Sequence, residues 1–359
     1  MKQKTNIHSL TLQDLKNLAI KLGYPSYRGE QIFRELWISG CESFATMKQI
    51  QQGFREYLEE YYSFDIFQSY KMQKSSDGSV KFVFHLFSGN SVESVYMPWL
   101  TGEDDKISRT TLCISSQAGC GLDCKFCATG TLGLLANLKP SEIAGQVKIC
   151  EKEIGEKITN VVFMGMGEPM LNYTNVEKSI KILSDEKLTK ISRKKITVST
   201  SGVTPGIRKL SKLKPPVKLA ISLHATTNGV RDKIMPINQK SNISELMDSV
   251  EQYYKTTKMA LTYEYIPFKN LNDSDADAKR LAKISKRVPS RVNLIPFNDI
   301  SFTEPSGVAE SLKAVSTEDL QEFANKVRSN GGVVTVRATF GSDIDAACGQ
   351  LALSERENG

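Results

Sequence analysis

The chain has 359 residues, of which 40% are hydrophobic and 24% charged, and its 47 basic and 40 acidic side chains leave a formal charge of +7. Such a length and apolar content support a large buried core, as one large domain or a barrel with an appendage, and exclude collagen-like, disordered and disulfide-scaffold classes. No apolar run approaches the roughly 18 residues of a membrane-spanning helix and the first residues lack the apolar stretch of a secretory signal, so the expectation is a soluble, cytoplasmic protein with no membrane partner.

Residues 9–62 read as helical. SLTLQDLKNLAIKLG has apolar residues at helical spacing behind a Ser9 or Thr11 cap, and RGEQIFRELWI and QIQQGFREYLEEYY supply two more helices. Residues 1–70 hold eight bases and eight acids, so this appendage is neutral. Its aromatic residues Tyr27, Phe33 and Trp37 are expected to form its own core rather than a stacking platform. Residues 68–98 change to an alternating, β-branched and aromatic pattern with turns at Asp77-Gly78 and Gly89-Asn90, a β-meander. Residues 99–108 read as a linker-like loop.

From residue 110 a short apolar strand, a polar or Gly-rich loop and a helical segment recur. The strands are 110–115, 158–164, 195–200, 217–222, 260–265, 291–296 and 333–338. Alternation of this kind implies parallel βαβ units, and six or seven of them make a partial parallel (β/α)6-type barrel in the α/β class. The expected division is 1–66 for a helical accessory domain, 67–108 for a β extension, 109–352 for the barrel and 353–359 for a tail. The unusual polar residues all follow strands: a three-cysteine loop, then GMGEP (165–169), Ser199, Ser222-Leu223-His224, Asn298 and Cys348. In parallel barrels the C-terminal strand ends line one mouth, where active sites form, so the pattern points to an enzyme.

Seven cysteines, an odd count without a signal sequence, argue for reduced thiols. Cys120, Cys124 and Cys127 fall within eight residues. A structural zinc site needs a fourth nearby ligand, and a redox dithiol would leave Cys120 unexplained. Iron–sulfur clusters are held by closely spaced thiolates, and three ligands leave one iron of a four-iron cube open for a small molecule. The spacing therefore favours a cluster over zinc. Charge is also unevenly placed. Between Glu186 and Asp232 there is no acid but eleven bases, from Lys187 to Arg231, and Lys283, Lys286, Arg287 and Arg291 form a second cluster. Unopposed bases suit a polyanion such as nucleic acid; the plainer reading is a set of solvated helix surfaces.

The CxxxCxxC loop after the first barrel strand resembles the signature of radical S-adenosylmethionine (SAM) enzymes. The ordered stretches SSQAGCGLDCKFCATG, FMGMGEPMLN, STSGVTPGI, LAISLHA, MPIN, NLIPFN and GSDIDAACGQL, with YRGEQIF in the appendage, resemble the RlmN/Cfr family of RNA methyltransferases, and Pro169 leans toward RlmN. The resemblance implies a radical SAM barrel in which Cys120, Cys124 and Cys127 hold a 4Fe–4S cluster that chelates SAM. Gly167 and Glu168 would anchor the methionyl amine, and Ser199, Ser222, Leu223, His224 and Asn298 the ribose and adenine. Cys348 would carry a methyl group as S-methylcysteine, Cys113 would resolve a protein–RNA adduct by forming a transient disulfide with Cys348, and Glu93 would accept a proton. Two SAM molecules would be used per turnover. The substrate would be C2 of an adenine in 23S rRNA and the adenine 3′ of the anticodon in some tRNAs, with C8 methylation of the Cfr type as the alternative.

The resemblance further implies an external electron donor of flavodoxin type and a monomer. A radical enzyme acting on a small molecule would leave the basic stretch unexplained, and an iron–sulfur RNA-binding protein would not need Cys348, Cys113 or Glu93. Two departures from the family stand out: Asn270 occupies a turn position that is commonly Gly, and the segment 299–319 is longer than typical.

Overall fold

The three appendage helices, α1 (Leu12–Lys21), α2 (Tyr27–Trp37) and α3 (Gln52–Tyr61), form where the apolar spacing places them. In this computed structural model, which describes residues 4–101, 106–186, 189 and 191–352, Thr11 is the cap of α1. Its hydroxyl accepts from the Asp14 N–H at 3.1 Å, and the Asp14 carboxylate accepts from the Thr11 N–H at 3.0 Å. This reciprocal pair satisfies two donors that a helix start otherwise leaves open. Leu15, Ala19, Ile32, Phe33, Leu36, Phe54 and Leu58 are buried between the helices. Phe33 is thus core, as expected, and Trp37 packs half-buried with its ring centroid 5.4 Å from that of His8. Tyr27 is 52% exposed, against the expectation, because it opens α2 where the helix leaves the core.

The meander is β1 (Ser69–Lys74), β2 (Val80–His85) and β3 (Ser91–Thr101), paired antiparallel. The expected loop at 99–108 is instead a hairpin: β3 continues to Thr101 and pairs antiparallel with β4 (Lys106–Cys113), residues 102–105 lying outside the described residues. Arg109 stacks its guanidinium 4.1 Å from the Trp99 ring, which ties the two strands on one face.

After β4 a small hairpin, β5 (Gln117–Gly119) and β6 (Leu134–Asn137), encloses the cysteine loop and a short helix, α4 (Ala128–Thr131). The barrel wall continues as α5 (Pro140–Ile154), β7 (Asn160–Phe163), α6 (Tyr173–Leu183), β8 (Ile196–Thr200), α7 (Thr204–Leu210) and β9 (Lys218–Ser222). It ends with α8 (Asn228–Ile234), α9 (Ile243–Thr257), β10 (Leu261–Tyr265), α10 (Asp275–Ser285), β11 (Ser290–Leu294), α11 (Val308–Ser311), α12 (Thr317–Ser329) and β12 (Val334–Val336).

These strands join one ten-stranded sheet ordered β12-β11-β10-β9-β8-β7-β4-β3-β2-β1. Seven of them, β4 and β7 to β12, are mutually parallel and the meander extends one edge antiparallel. Strand order follows chain order, as a wall wound in one direction by right-handed βαβ crossovers requires. The fold is the α/β partial barrel with a helical appendage.

The long segment 299–319 is partly folded: Ala314 bridges to Phe268 and the Lys269 N–H donates to the Lys313 carbonyl at 2.9 Å. Asn270 adopts φ +63°, so the turn keeps the left-handed backbone that Gly would supply, and Asn tolerates it. The expected tail, 353–359, lies outside the described residues. Among the described residues no helix is long and apolar enough to cross a membrane.

Gly29 in YRGEQIF marks the crossing of α1 and α2: a Cβ there would stand 2.4 Å from the Lys16 backbone nitrogen and 2.5 Å from the Leu15 carbonyl carbon. Gly29→Ala should therefore separate the helices and destabilise the appendage by about 1–3 kcal/mol, the usual cost of overpacking. Limited proteolysis should then cut within residues 4–62 faster than in the parent, with the barrel fragment left intact.

Candidate active site

The C-terminal strand ends carry small or polar side chains whose packing brings backbones together. Gly165 and Gly167 seat the loop after β7 against the end of β4. A Cβ on Gly165 would stand 2.8 Å from the Ile114 carbonyl carbon, and one on Gly167, at φ +91°, would stand 2.4 Å from the Gln117 Cβ. No other residue fits either place. Glu168 follows, fully buried; one carboxylate oxygen accepts from the Met170 N–H at 3.0 Å and the other from the Ser201 N–H at 2.8 Å. Burial pushes its carboxyl up, and those two N–H donors work against the shift. A carboxylate has about four lone-pair directions, so room remains for a cationic donor.

Cys120, Cys124 and Cys127 line one cavity with Glu168, Ser199, Ser222 and His224. Burial raises all three thiols, Cys120 to about 12. Gly119, at φ +67°, lets the loop turn close under Gly133: the Cys120 N–H donates to the Gly133 carbonyl at 2.7 Å, and a Cβ on Gly119 would stand 2.0 Å from that oxygen. Among the described residues no three His, Cys, Asp or Glu side chains form a ready site for a single metal ion. A zinc ion would need its ligands around one point. A four-iron cluster takes closely spaced thiolates, so three half-buried thiols on a common cavity suit it as a donor set.

His224 stands at φ +50° and its Nδ1 accepts from the Ile266 N–H at 3.1 Å, which leaves the proton on Nε2. Burial, helped by nearby Arg231, lowers its pKa to about 3, so the ring is neutral. It is both a packed residue, edge-on to Phe126 at 4.7 Å, and part of the cavity wall.

A second cavity adjoins the first. Cys348, Arg337, Met164 and Ile295 line both, and Cys113 and Asn298 line the second. Cys113, the last residue of β4, is buried, and burial pushes its thiol up to about 12. Asn298 donates from Nδ2 to the Cys348 carbonyl at 3.0 Å. The Cys348 segment is also tied to the cysteine loop: the Ala128 N–H donates to the Gly349 carbonyl at 2.7 Å and Thr129 Oγ1 to the Leu351 carbonyl at 2.5 Å.

Leu223 and Glu93 line neither cavity. The Leu223 N–H donates to the Glu264 carbonyl at 3.0 Å, so it shapes the wall through its backbone. Glu93 is no solvated strand carboxylate: it is 1% exposed, with Lys81 Nζ 3.5 Å away. Val95 and Met97, further along the same face of β3, do reach the second cavity.

Three charged residues of the site were not singled out from sequence. Glu264 on β10 lines the first cavity, and Asn293 on the neighbouring strand donates to its Oε1 at 3.1 Å. Arg337 sits one residue past β12, where only its strand position could have flagged it. Arg231 was counted with the surface bases, yet it is fully buried. Its guanidinium donates to the carbonyls of Ser201 (2.6 Å), Ser222 (3.1 Å) and Leu223 (3.1 Å) and to Asn238 (3.2 Å).

Two family models match the chain: the Radical SAM superfamily over residues 114–282, and the ribosomal RNA large subunit methyltransferase N-terminal domain over residues 5–63. The chain is 39% identical over 357 residues to the probable dual-specificity RNA methyltransferase RlmN of Flavobacterium psychrophilum, an alignment covering 98% of this chain and 99% of the other. It is 40% identical over 349 residues to the dual-specificity RNA methyltransferase RlmN of Geotalea uraniireducens, with 97% of each covered. The crystal structure of a radical SAM methyltransferase from Sphaerobacter thermophilus superposes with a TM-score of 0.86 at 34% identity, covering 97% of this chain and 99% of that one.

Arg231 pins the ends of two strands that carry site residues, which gives a direct test. Arg231→Met should leave three buried carbonyls without their charged donor and cost roughly 2–3 kcal/mol in urea unfolding, from hydrogen bonds to a charged group. The loss should be accompanied by weaker binding of S-adenosylhomocysteine, read by calorimetry.

Proposed function

The chain belongs to the RlmN family of radical SAM RNA methyltransferases, and on that premise we propose that it methylates C2 of an adenine in 23S rRNA, and the adenine 3′ of the anticodon in some tRNAs, through a methyl group carried on Cys348. The observation that carries this reading is the pair of adjoining cavities. One is lined by the three clustered cysteines, the other by Cys113, and Cys348 lines both.

The chemistry demands such a carrier. The C2 position of adenine is electron-poor, so a methyl cation does not add there, and the one-carbon unit must first be parked on a nucleophile. Cys120, Cys124 and Cys127 would hold the 4Fe–4S cluster, which when bound supplies the electron that cleaves SAM reductively. Glu168 would accept the methionyl ammonium through its remaining lone pairs, while the Gly167 backbone lets the ligand approach. The side chains of Ser199, Ser222 and His224, the backbone of Leu223 and the amide of Asn298 would hold the nucleoside, small polar groups at strand ends being suited to orienting a ligand.

Cys348 would accept the methyl group of one SAM molecule, and a second SAM would be consumed per turnover. A hydrogen atom taken from the Cys348 S-methyl group would leave a carbon radical that bonds to C2 and joins protein to RNA; this adduct would give one electron back to the cluster and its C2 proton to Glu93. Cys113 would then attack the Cys348 sulfur, forming the S–S bond as the S–CH2 bond breaks, and the freed carbon would take a proton to become the methyl group of the released RNA. The cluster calls for an external electron donor of flavodoxin type, and the disulfide for reduction before the next turnover. A monomer suffices, since every residue in this scheme comes from one chain. The target base must leave its stack to reach the cavity, which is cheapest in loops and strained junctions.

Cys348→Ala should abolish methyl transfer while iron and sulfide content stay at parent level; retained turnover would defeat the carrier role. Cys113→Ala should accumulate a covalent protein–RNA species on a denaturing gel, and its absence would remove the resolving role. Nucleoside mass spectrometry of treated rRNA should give 2-methyladenosine, whereas 8-methyladenosine would move the chain to the Cfr type.

A further inference from the structure

Arg193, Lys194, Lys195 and Lys214 of the acid-free basic stretch do not face the mouth. Lys157 precedes β7, Arg193, Lys194 and Lys195 precede β8, and Lys214 precedes β9, so all lie at the N-terminal ends of the parallel strands. Lys187 and Lys190 lie outside the described residues, and Arg231 is internal. What remains is a basic rim on the face opposite the two cavities. Arg193 organises it: its guanidinium donates to the carbonyls of Lys214 (2.8 Å) and Pro215 (2.9 Å) and to Ser184 Oγ (2.9 Å), holding the loops before β8 and β9 together.

Two grooves meet on this rim, sharing Ile191 and Ser192. Arg34 from α2, Lys148 from α5, Lys157 and Lys195 line one, so it runs along the seam between appendage and barrel. Arg193 and Lys194 line the other. The carboxylates among the lining residues are Glu151, paired with Lys157 at 2.8 Å, and Glu186. Lys194, Lys195 and Lys214 are exposed, and among the described residues no carboxylate stands within ion-pair distance of them. Compensation of helix dipoles does not account for these lysines. That effect acts on the last turn of a helix, and these three occupy loops and a short 3-10 turn that lead into strands.

We propose that this distal basic rim is a second docking surface for the RNA substrate, taking the phosphodiester backbone of an RNA arm remote from the base held at the mouth. The inference rests on the RNA-methyltransferase reading and adds to it a requirement for length. Strands of four or five residues separate the two faces, roughly 15 Å at about 3.3 Å per residue before the loops are counted. An RNA must therefore extend past the barrel to touch both, which a stem shorter than that span does not do once its loop is seated. The seam position of Arg34 makes the neutral appendage a partner in this contact rather than a separate recognition unit.

The test compares two transcripts in equilibrium binding across a salt series. One is the ribosomal RNA domain that carries the methylated adenine; the other is the stem-loop cut from it with a stem too short to span the barrel. The K194Q/K195Q/K214Q variant should bind the domain roughly tenfold more weakly, with its log Kd against log salt slope reduced by about 1 per lysine, and should bind the stem-loop as the parent does. The K194R/K195R/K214R variant should restore the domain's affinity and slope, which a fold defect would not allow. Equal losses on both RNAs, or none on the domain, would overturn the second surface. Failure of the parent to bind either RNA would instead overturn the RNA reading itself.

Discussion

Two hydrogen bonds decide where Cys348 goes. The N–H of Ala128, directly after Cys127, donates to the Gly349 carbonyl, and the Thr129 hydroxyl donates to the Leu351 carbonyl. They join chain segments more than two hundred residues apart, so the cysteine loop and the last segment form one structure. Around this clasp Asn298 holds the Cys348 carbonyl, Gln350 donates to the Asp299 carbonyl at 3.0 Å, and Asp343 accepts from Ser75 and Ser76 at the β1–β2 turn. The meander is thus a strap across the barrel edge, and it explains why Cys113, at the end of β4, opens onto the cavity that also contains Cys348.

Much of this was legible in the sequence because the relevant signals are local. Continuous β-branched runs with polar ends mark buried parallel strands, and CxxxCxxC and GMGEP follow two of them directly. The segment 99–108 was read as a loop because its Gly-Glu-Asp-Asp sequence carries the charge of a linker, while the pairing of Trp99 with Arg109 is a cross-strand contact that no local pattern records. Arg231 was illegible for the opposite reason. Within an acid-free basic run it looks like one more surface charge, and only the strand ends folding around it reveal a buried donor. Glu264 and Arg337 likewise declare themselves through the neighbours that the sheet register brings beside them.

The sheet also separates two kinds of charge by direction. Parallel strands send their C-terminal ends to one face and their N-terminal ends to the other, so a loop before a strand and a loop after it never share a surface. Composition cannot see this polarity. Arg193, Lys194, Lys195 and Lys214 are interleaved in sequence with Ser199 and Ser201, yet they lie at opposite ends of the sheet, because these bases precede β8 or β9 while Ser199 and Ser201 stand at the C-terminal end of β8. On the proposed function, the mouth would hold the base and the opposite face the phosphates of a long polyanion.

Inside the mouth the charges are few and mutually dependent. Burial is the main force raising the Cys113 thiol, charge on Cys348 adds to it, and Arg337 opposes it. The cation's own pKa is raised, chiefly by Cys348 and then by Glu264 and Cys113, with burial working against them. On the proposed scheme, a methyl group on Cys348 would make that sulfur a neutral thioether and take its charge away from Cys113, leaving Arg337 to favour the second thiolate.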